Sequence, residues 1–102
     1  MSRKAGGNKS EAQRRLARIL RKRVEPHGTP ITDPSILKGV EVDESGIVEI
    51  WIRPPHPHCP CCLGDLIDLR GEILNQKGVL ACHLEIVGVP QPERWTAAIN
   101  ED

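Results

Sequence analysis

The stretch IVEIWIRPPHPHCPCC, residues 47–62, contains an apolar strand, a proline-rich loop and the expected start of a helix. Because successive side chains of a strand point to opposite faces, Val48, Ile50 and Ile52 share one face and are predicted to point into the core. The four prolines that follow restrict the loop in the unfolded chain, so holding it in one shape costs less entropy. The sequence therefore predicts a strand that leads into a loop suited to presenting side chains.

The rest of the chain supplies helices and strands on both sides of this stretch. Apolar residues at helical spacing predict an amphipathic helix that begins at an N-cap, Ser10, and ends near Val24. The further predicted elements are a strand at 40–43, which forms a hairpin with 47–52, a helix at 60–77, a strand at 79–89 and a short helix at 95–100. The main order, helix, strand, strand, helix, strand, indicates an α+β fold: a small open sheet of about three strands with two main helices packed on one face.

A chain of 102 residues is long enough for one hydrophobic core and too short for two. That core is expected to be aliphatic, because Phe and Tyr are absent and Trp51 and Trp95 are the two aromatic residues. Residues 1–9 are polar and aperiodic, which predicts a disordered basic tail. We therefore expect a single α+β domain over residues 10–102.

The formal net charge of zero conceals a segregation of charge along the chain. Residues 1–24 carry nine Lys or Arg and one acid, Glu11, whereas residues 25–102 carry five Lys or Arg and thirteen acids. The basic helix could be solvated, bind acidic groups of its own chain, or contact an acidic partner. Nucleic acid is not an expected partner, because the helix lacks the interleaved aromatic residues on which bases stack.

The expected compartment is the cytoplasm. No segment approaches the roughly 18 consecutive apolar residues of a membrane span, and the positive N-terminus is not followed by the apolar stretch of an export signal. A membrane is therefore not expected as a partner. The four cysteines are accordingly interpreted as thiols that serve in metal binding, redox chemistry or burial.

Cys59 is the strongest candidate for a reactive thiol. Pro60 is favoured at the first position of a helix, which makes Cys59 the expected N-cap. Its sulfur would then lie near free backbone N–H groups and the positive end of the helix dipole, which stabilise a thiolate.

The candidate metal ligands are clustered in the same loop: His56, His58, Cys59, Cys61 and Cys62. A Cys-x-x-Cys pair is half of a zinc or iron–sulfur site, or a redox dithiol, and no second such pair completes a zinc ribbon. A stable zinc site, a transient contact with a metal or cluster, and no metal at all remain open. No nucleophile, base and orienting acid can be assembled from these motifs, so an enzyme is not expected.

Simpler structural roles are predicted for the other polar residues. Asp33 is expected to hydrogen-bond the backbone of the connector after the first helix, in which His27 is also placed. Cys82 is expected to be a small buried residue, and His83 a surface residue on the opposite face of the third strand.

Several segments occur in a recognisable order along the chain. They are Val24-Glu25-Pro26, Ile31-Thr32-Asp33 with residues 37–43, Pro57-His58-Cys59-Pro60, and Gly78-Val79 followed by Pro92-Glu93-Arg94-Trp95-Thr96. In this order the sequence resembles the iron–sulfur assembly accessory family that includes the SufT and PaaD proteins and the eukaryotic cytosolic iron–sulfur targeting subunit.

The resemblance implies an accessory role in assembling or delivering iron–sulfur clusters. It implies that Cys59 matches the family's reactive cysteine, that Asp33 and Trp95 lie in supporting motifs, and that iron or a cluster is bound transiently. The implied partners are iron–sulfur assembly or client proteins. The alternatives are a small interaction module stabilised by zinc and, less favoured, a nucleic-acid-binding protein that uses its basic N-terminal helix.

Overall fold

Three helices and three strands make up the part of the chain that the computed structural model describes, residues 8–56 and 60–101. In chain order they are α1 Lys9–Lys22, β1 Leu37–Val42, β2 Ile47–Ile52, α2 Pro60–Leu74, β3 Ala81–Ile86 and α3 Pro92–Ile99. The α+β class and the order helix, strand, strand, helix, strand are confirmed, and the short C-terminal helix is α3.

The sheet has the strand order β1-β2-β3 and mixes two kinds of pairing. Strands β1 and β2 form the predicted antiparallel hairpin, in which Val40 pairs with Ile50. Strands β2 and β3 are parallel, with Val48 opposite Cys82 and Ile52 opposite Ile86. A parallel pair needs a crossover connection, and α2 provides it.

The apolar core lies between the sheet and the helices. The predicted core residues of β2, Val48, Ile50 and Ile52, are all 0% exposed. They share the cluster with Cys82, Leu84 and Ile86 of β3, Ala12, Leu16, Ile19 and Leu20 of α1, Leu66, Leu69 and Ile73 of α2, and Ile99 of α3. The apolar sides of α1 and α2 therefore cover one face of the sheet, as predicted.

Helix α1 begins earlier than the sequence suggested. The side chain of Asn8 accepts a hydrogen bond from the backbone N–H of Glu11 at 2.9 Å, so Asn8 is the N-cap. The prediction of Ser10 was wrong because Asn is an equally good capping residue. Asn8 lies immediately before Lys9, the first residue of the helix. Lys9 is consequently helical rather than part of the predicted tail, and residues 1–7 lie outside the described residues.

A cross-helix ion cluster holds the end of α1 against α2. Arg23 forms ion pairs with Asp65 and Asp68, each at 3.2 Å, and with Glu72. The Arg23 side chain is 14% exposed, so these pairs lie partly out of water. Some of the charge segregation seen in the sequence is therefore neutralised within the molecule.

Helix α3 covers the outer edge of β3 through side chains that imitate a neighbouring strand. The hydroxyl of Thr96 accepts a hydrogen bond from the N–H of Ile86 at 3.0 Å. The amide of Asn100 accepts from the N–H of Leu84 at 3.0 Å and donates to the carbonyl of Leu84 at 2.8 Å. These bonds occupy backbone groups at the edge of β3 that would otherwise be free to pair with another strand.

The face of the sheet away from the helices carries a histidine–carboxylate pair. His83 Nε2 lies 2.9 Å from Glu85 Oε1, and both side chains are more than 40% exposed. His83 is therefore the surface residue that was predicted. Across the described residues, no helix has the length and apolar character needed to cross a membrane.

Replacing Asn100 with alanine should lower the free energy of unfolding by about 1–3 kcal/mol, because two backbone groups of Leu84 lose their partner. The measurement is urea denaturation followed by circular dichroism. The control is Asn75→Ala, at an exposed position after α2, which should change stability by no more than about 0.5 kcal/mol. Equal effects of the two substitutions would contradict the edge-covering role.

Candidate metal centre

A tight connector after α1 forms one wall of the candidate site. A β-bridge joins Val24 to Pro30, and the N–H of Glu25 donates to the carbonyl of Thr29 at 2.8 Å. The reversal between them uses Gly28 with φ at +99°, a backbone conformation that glycine adopts without strain. The bridge ends α1 before Val24 and presents Glu25 and His27 toward the start of α2.

Glu25 is a buried carboxylate whose oxygens are occupied. Its side chain is 3% exposed. Oε1 accepts from the backbone N–H of His27 at 2.7 Å, and Oε2 accepts from that of Thr29 at 3.0 Å. Burial acts to raise the pKa of Glu25, but these hydrogen bonds outweigh burial and lower the pKa to about 2. The group is therefore a carboxylate at neutral pH.

His27 stands between this carboxylate and the loop that follows β2. Its Nδ1 lies 3.0 Å from Oε1 of Glu25. Its ring centroid lies 3.8 Å from that of His56, with the ring planes tilted by 43°. The connector and the proline-rich loop thus meet through two imidazole rings.

Two groups of possible metal ligands share His27. One consists of His27, Cys61 and Cys62, and the other of Glu25, His27 and His56; within each, the donor atoms lie within 4.8 Å of one another. Ligand atoms bound to one tetrahedral ion at 2.0–2.3 Å are about 3.3–3.8 Å apart. A contraction of at most about 1.5 Å would therefore bring them to ligand distance. Sulfur with imidazole suits iron or zinc.

Cys62 forms the buried side of the site. It is 3% exposed and has a free thiol. Burial raises its pKa, nearby Glu25 adds to this rise, and the backbone N–H of His56 acts in the opposite direction by hydrogen bonding to the sulfur. Cys62 is therefore a protonated thiol in the metal-free protein, and metal binding would release its proton.

A small cavity of about 10 Å³ lies beside Cys62, which is room for about one water molecule. Its walls are Glu25, Pro26, Ile31, Ile36, Ile52, Pro54, Pro55, Cys62, Asp65 and Leu66. Most of these groups are apolar, so the buried side of the site is lined mainly by apolar side chains.

The remaining cysteines differ in state. Cys61 is disulfide-bonded, so its sulfur becomes a metal ligand only after reduction. Cys82 is a free thiol in the core, and burial raises its pKa to about 11. The expectation of free thiols is confirmed for Cys62 and Cys82 and is wrong for Cys61. Cys82 belongs to neither donor group and is the buried structural residue that was predicted.

Two of the five candidate ligands, His58 and Cys59, lie outside the described residues. The start of α2 at Pro60 agrees with the prediction. The role of Cys59 as a reactive thiol at the helix N-terminus stays a prediction. His56, Cys61 and Cys62 are within the described region, and His27 links them.

Neither of the two supporting residues, Asp33 and Trp95, belongs to a donor group. Oδ1 of Asp33 accepts from the N–H of Ser35 at 2.9 Å and from its hydroxyl at 2.7 Å. This is the predicted role in the connector, which leads to Ile36 at the cavity wall. Trp95 packs at the edge of the core and, with Leu63 of α2, lines a surface groove.

Sequence reasoning missed two residues of the site, Glu25 and His27. His27 was placed in the connector, where it does lie, but its contact with His56 was not foreseen. The available signal was the spacing Glu-Pro-His-Gly, which puts a carboxylate two residues before an imidazole at a turn. That signal is weak by itself, because the sequence does not show that the loop after β2 lies beside this turn.

Comparison with known proteins identified no similar protein. No protein-family model matches the chain, and no significant match was found among curated proteins or among solved structures.

The buried carboxylate predicts how the stability of the metal-free protein depends on pH. The pKa of Glu25 is about 2 when folded and is ordinarily near 4.5, so its contribution is fully present above pH 4.5 and is lost as pH falls toward 2. That difference corresponds to on the order of 3 kcal/mol. About 2 kcal/mol of it should be lost between pH 7 and pH 3, which urea denaturation with chelator present measures.

Glu25→Gln should flatten this pH dependence relative to the wild type. The control is Glu101→Gln, an exposed carboxylate after α3, which should keep the wild-type slope. If both variants keep that slope, the hydrogen bonds to Glu25 do not stabilise its charged form.

Proposed function

We propose that this protein is a non-enzymatic accessory protein in iron–sulfur cluster assembly or delivery, which binds iron or a cluster transiently where α2 begins. The observation that carries the proposal is the pair of donor groups joined at His27. The sequence resemblance, which includes Pro57-His58-Cys59-Pro60 between His56 and Cys61, supports the same function.

The exposure of the donors supports transient rather than permanent binding. Cys62 and Glu25 are buried, whereas His27, His56 and Cys61 are exposed. Structural zinc sites are closed, with four protein ligands around the ion. A site with one buried sulfur and an exposed rim of donors leaves a side from which a partner's ligand can take over the ion.

The packing of α2 argues against a purely structural metal. Leu66, Leu69 and Ile73 of α2 are at most 3% exposed and belong to the main apolar core. Arg23 adds ion pairs from α1. Helix α2 is thus held without a metal, so removing the ion should leave the protein folded, unlike a zinc finger.

The basic face of α1 is proposed to contact an acidic surface of an assembly or client protein. Arg14 and Arg15 pair with Glu11, and Arg23 binds carboxylates of α2. Arg18, Arg21 and Lys22 are exposed on the same helix. Lys9 pairs with Glu44, so within the described residues of α1 these three cations are the charges left for an intermolecular contact.

The function is tested by anaerobic purification under reducing conditions, with iron, sulfide and zinc quantified per chain. Wild-type protein should bind iron, and Cys59→Ala and Cys62→Ala should each lower iron content at least about tenfold, because each removes a thiolate ligand. Cys82→Ala is the control and should leave iron content unchanged.

The same variants should be tested for maturation of iron–sulfur enzymes in cells that lack the native protein. Cys59→Ala should fail to restore maturation, and Cys82→Ala should restore it. One tightly held zinc per chain, with unfolding on chelation, would replace this proposal with the zinc-stabilised interaction module.

A further inference from the structure

We propose that His27 is a metal ligand and that the buried carboxylate of Glu25 positions its ring. The site then extends from the loop before α2 to the connector after α1 and has the carboxylate–histidine–metal arrangement. This inference rests on the proposed metal binding and deepens it, because it identifies a mixed imidazole and thiolate site for a divalent first-row transition metal.

The hydrogen bonds of Glu25 determine which ring nitrogen of His27 is available. A carboxylate oxygen accepts hydrogen bonds and does not donate them. Because Nδ1 of His27 lies 3.0 Å from Oε1, that nitrogen carries the proton in the bond. In a neutral imidazole the other nitrogen, Nε2, then has the lone pair, which is the atom that binds a metal.

Glu25 is better placed to orient His27 than to bind the ion itself. Oε1 accepts from both the backbone N–H and the ring of His27, and Oε2 accepts from the N–H of Thr29. With its side chain 3% exposed, Glu25 has little freedom to turn toward a ligand. A carboxylate in this position fixes the tautomer and the orientation of the ring.

The neighbours of His27 supply the other ligand types. The free sulfur of Cys62 and the ring of His56 belong to the two donor groups that include His27. His27 is itself partly exposed, with 38% of its side chain open to solvent, so an ion can approach it. Imidazole with thiolate suits Fe²⁺, Zn²⁺ and Co²⁺ better than Mg²⁺ or Ca²⁺, which prefer oxygen.

A second histidine–carboxylate pair in the same protein offers a matched comparison. His83 Nε2 lies 2.9 Å from Glu85 Oε1, two residues away, just as His27 and Glu25 are two residues apart. Glu85 is 42% exposed and the pair lies on the outer face of the sheet, in neither donor group. Substitution of His83 therefore removes an imidazole beside a carboxylate without touching the proposed site.

The ligand role is tested by titrating the reduced protein with Co²⁺ under anaerobic conditions and recording its absorption spectrum. Wild type and His83→Ala should bind with equal affinity and show sulfur-to-cobalt charge-transfer bands. His27→Ala should bind at least about tenfold more weakly, with shifted cobalt d–d bands, because one nitrogen ligand is lost. The variant should stay folded, since the backbone N–H of His27 still bonds to Glu25.

The positioning role is tested with Glu25→Gln and nitrogen NMR of the histidine rings. In metal-free wild type at neutral pH, His27 should be the tautomer protonated at Nδ1; in Glu25→Gln that preference should be lost and Co²⁺ affinity should fall about 10- to 100-fold. Circular dichroism checks that the variant is folded. A wild-type His27 protonated at Nε2 alone would overturn the assignment.

The outcomes separate this inference from the function on which it rests. If wild type binds Co²⁺ and His27→Ala binds it equally well with an unchanged spectrum, His27 is not a ligand, and the metal binding that the proposed function requires is retained by the other donors. If wild type binds none of Co²⁺, Fe²⁺ and Zn²⁺, metal binding itself is refuted, and both proposals fall.

Discussion

Strands β2 and β3 run parallel, and most of the architecture depends on that pairing. A parallel pair cannot be closed by a tight turn, so the chain must leave the end of β2, cross one face of the sheet and return. Helix α2 makes this crossing and brings Leu66, Leu69 and Ile73 onto the core. The proline-rich loop is the first part of the crossing, which is why His56 and, at the start of α2, Cys61 and Cys62 stand beyond the end of β2 beside the connector from α1.

The connector completes the site because a buried carboxylate shapes it. Glu25 accepts hydrogen bonds from two backbone N–H groups, and these bonds keep it charged although it is almost fully buried. The same interactions bring the ring of His27 next to His56 and close to the sulfur of Cys62. One group thus serves the local fold and the proposed chemistry, and Arg23 keeps the neighbouring end of α1 against α2.

Much of the fold could be predicted because its signals are local. The alternation of Val48, Ile50 and Ile52 identified a buried strand face, and Pro60 identified the start of α2. The cap of α1 was misplaced because Asn8 and Ser10 are both good capping residues, and only the observed hydrogen bond distinguishes them. The edge-covering bonds of Asn100 to Leu84 join residues 16 apart and leave no local pattern.

The sequence by itself determined the α+β class, the aliphatic core and the density of histidine and cysteine between His56 and Cys62, because these follow from composition and short-range periodicity. Only the tertiary structure decided which of those groups meet. It left Cys82, whose burial the sequence predicted, outside the donor groups, and it brought Glu25 and His27 beside His56 and Cys62. The reason is geometric: these contacts join residues about 30 to 37 positions apart, and they exist only once the sheet and α2 fix where each segment ends.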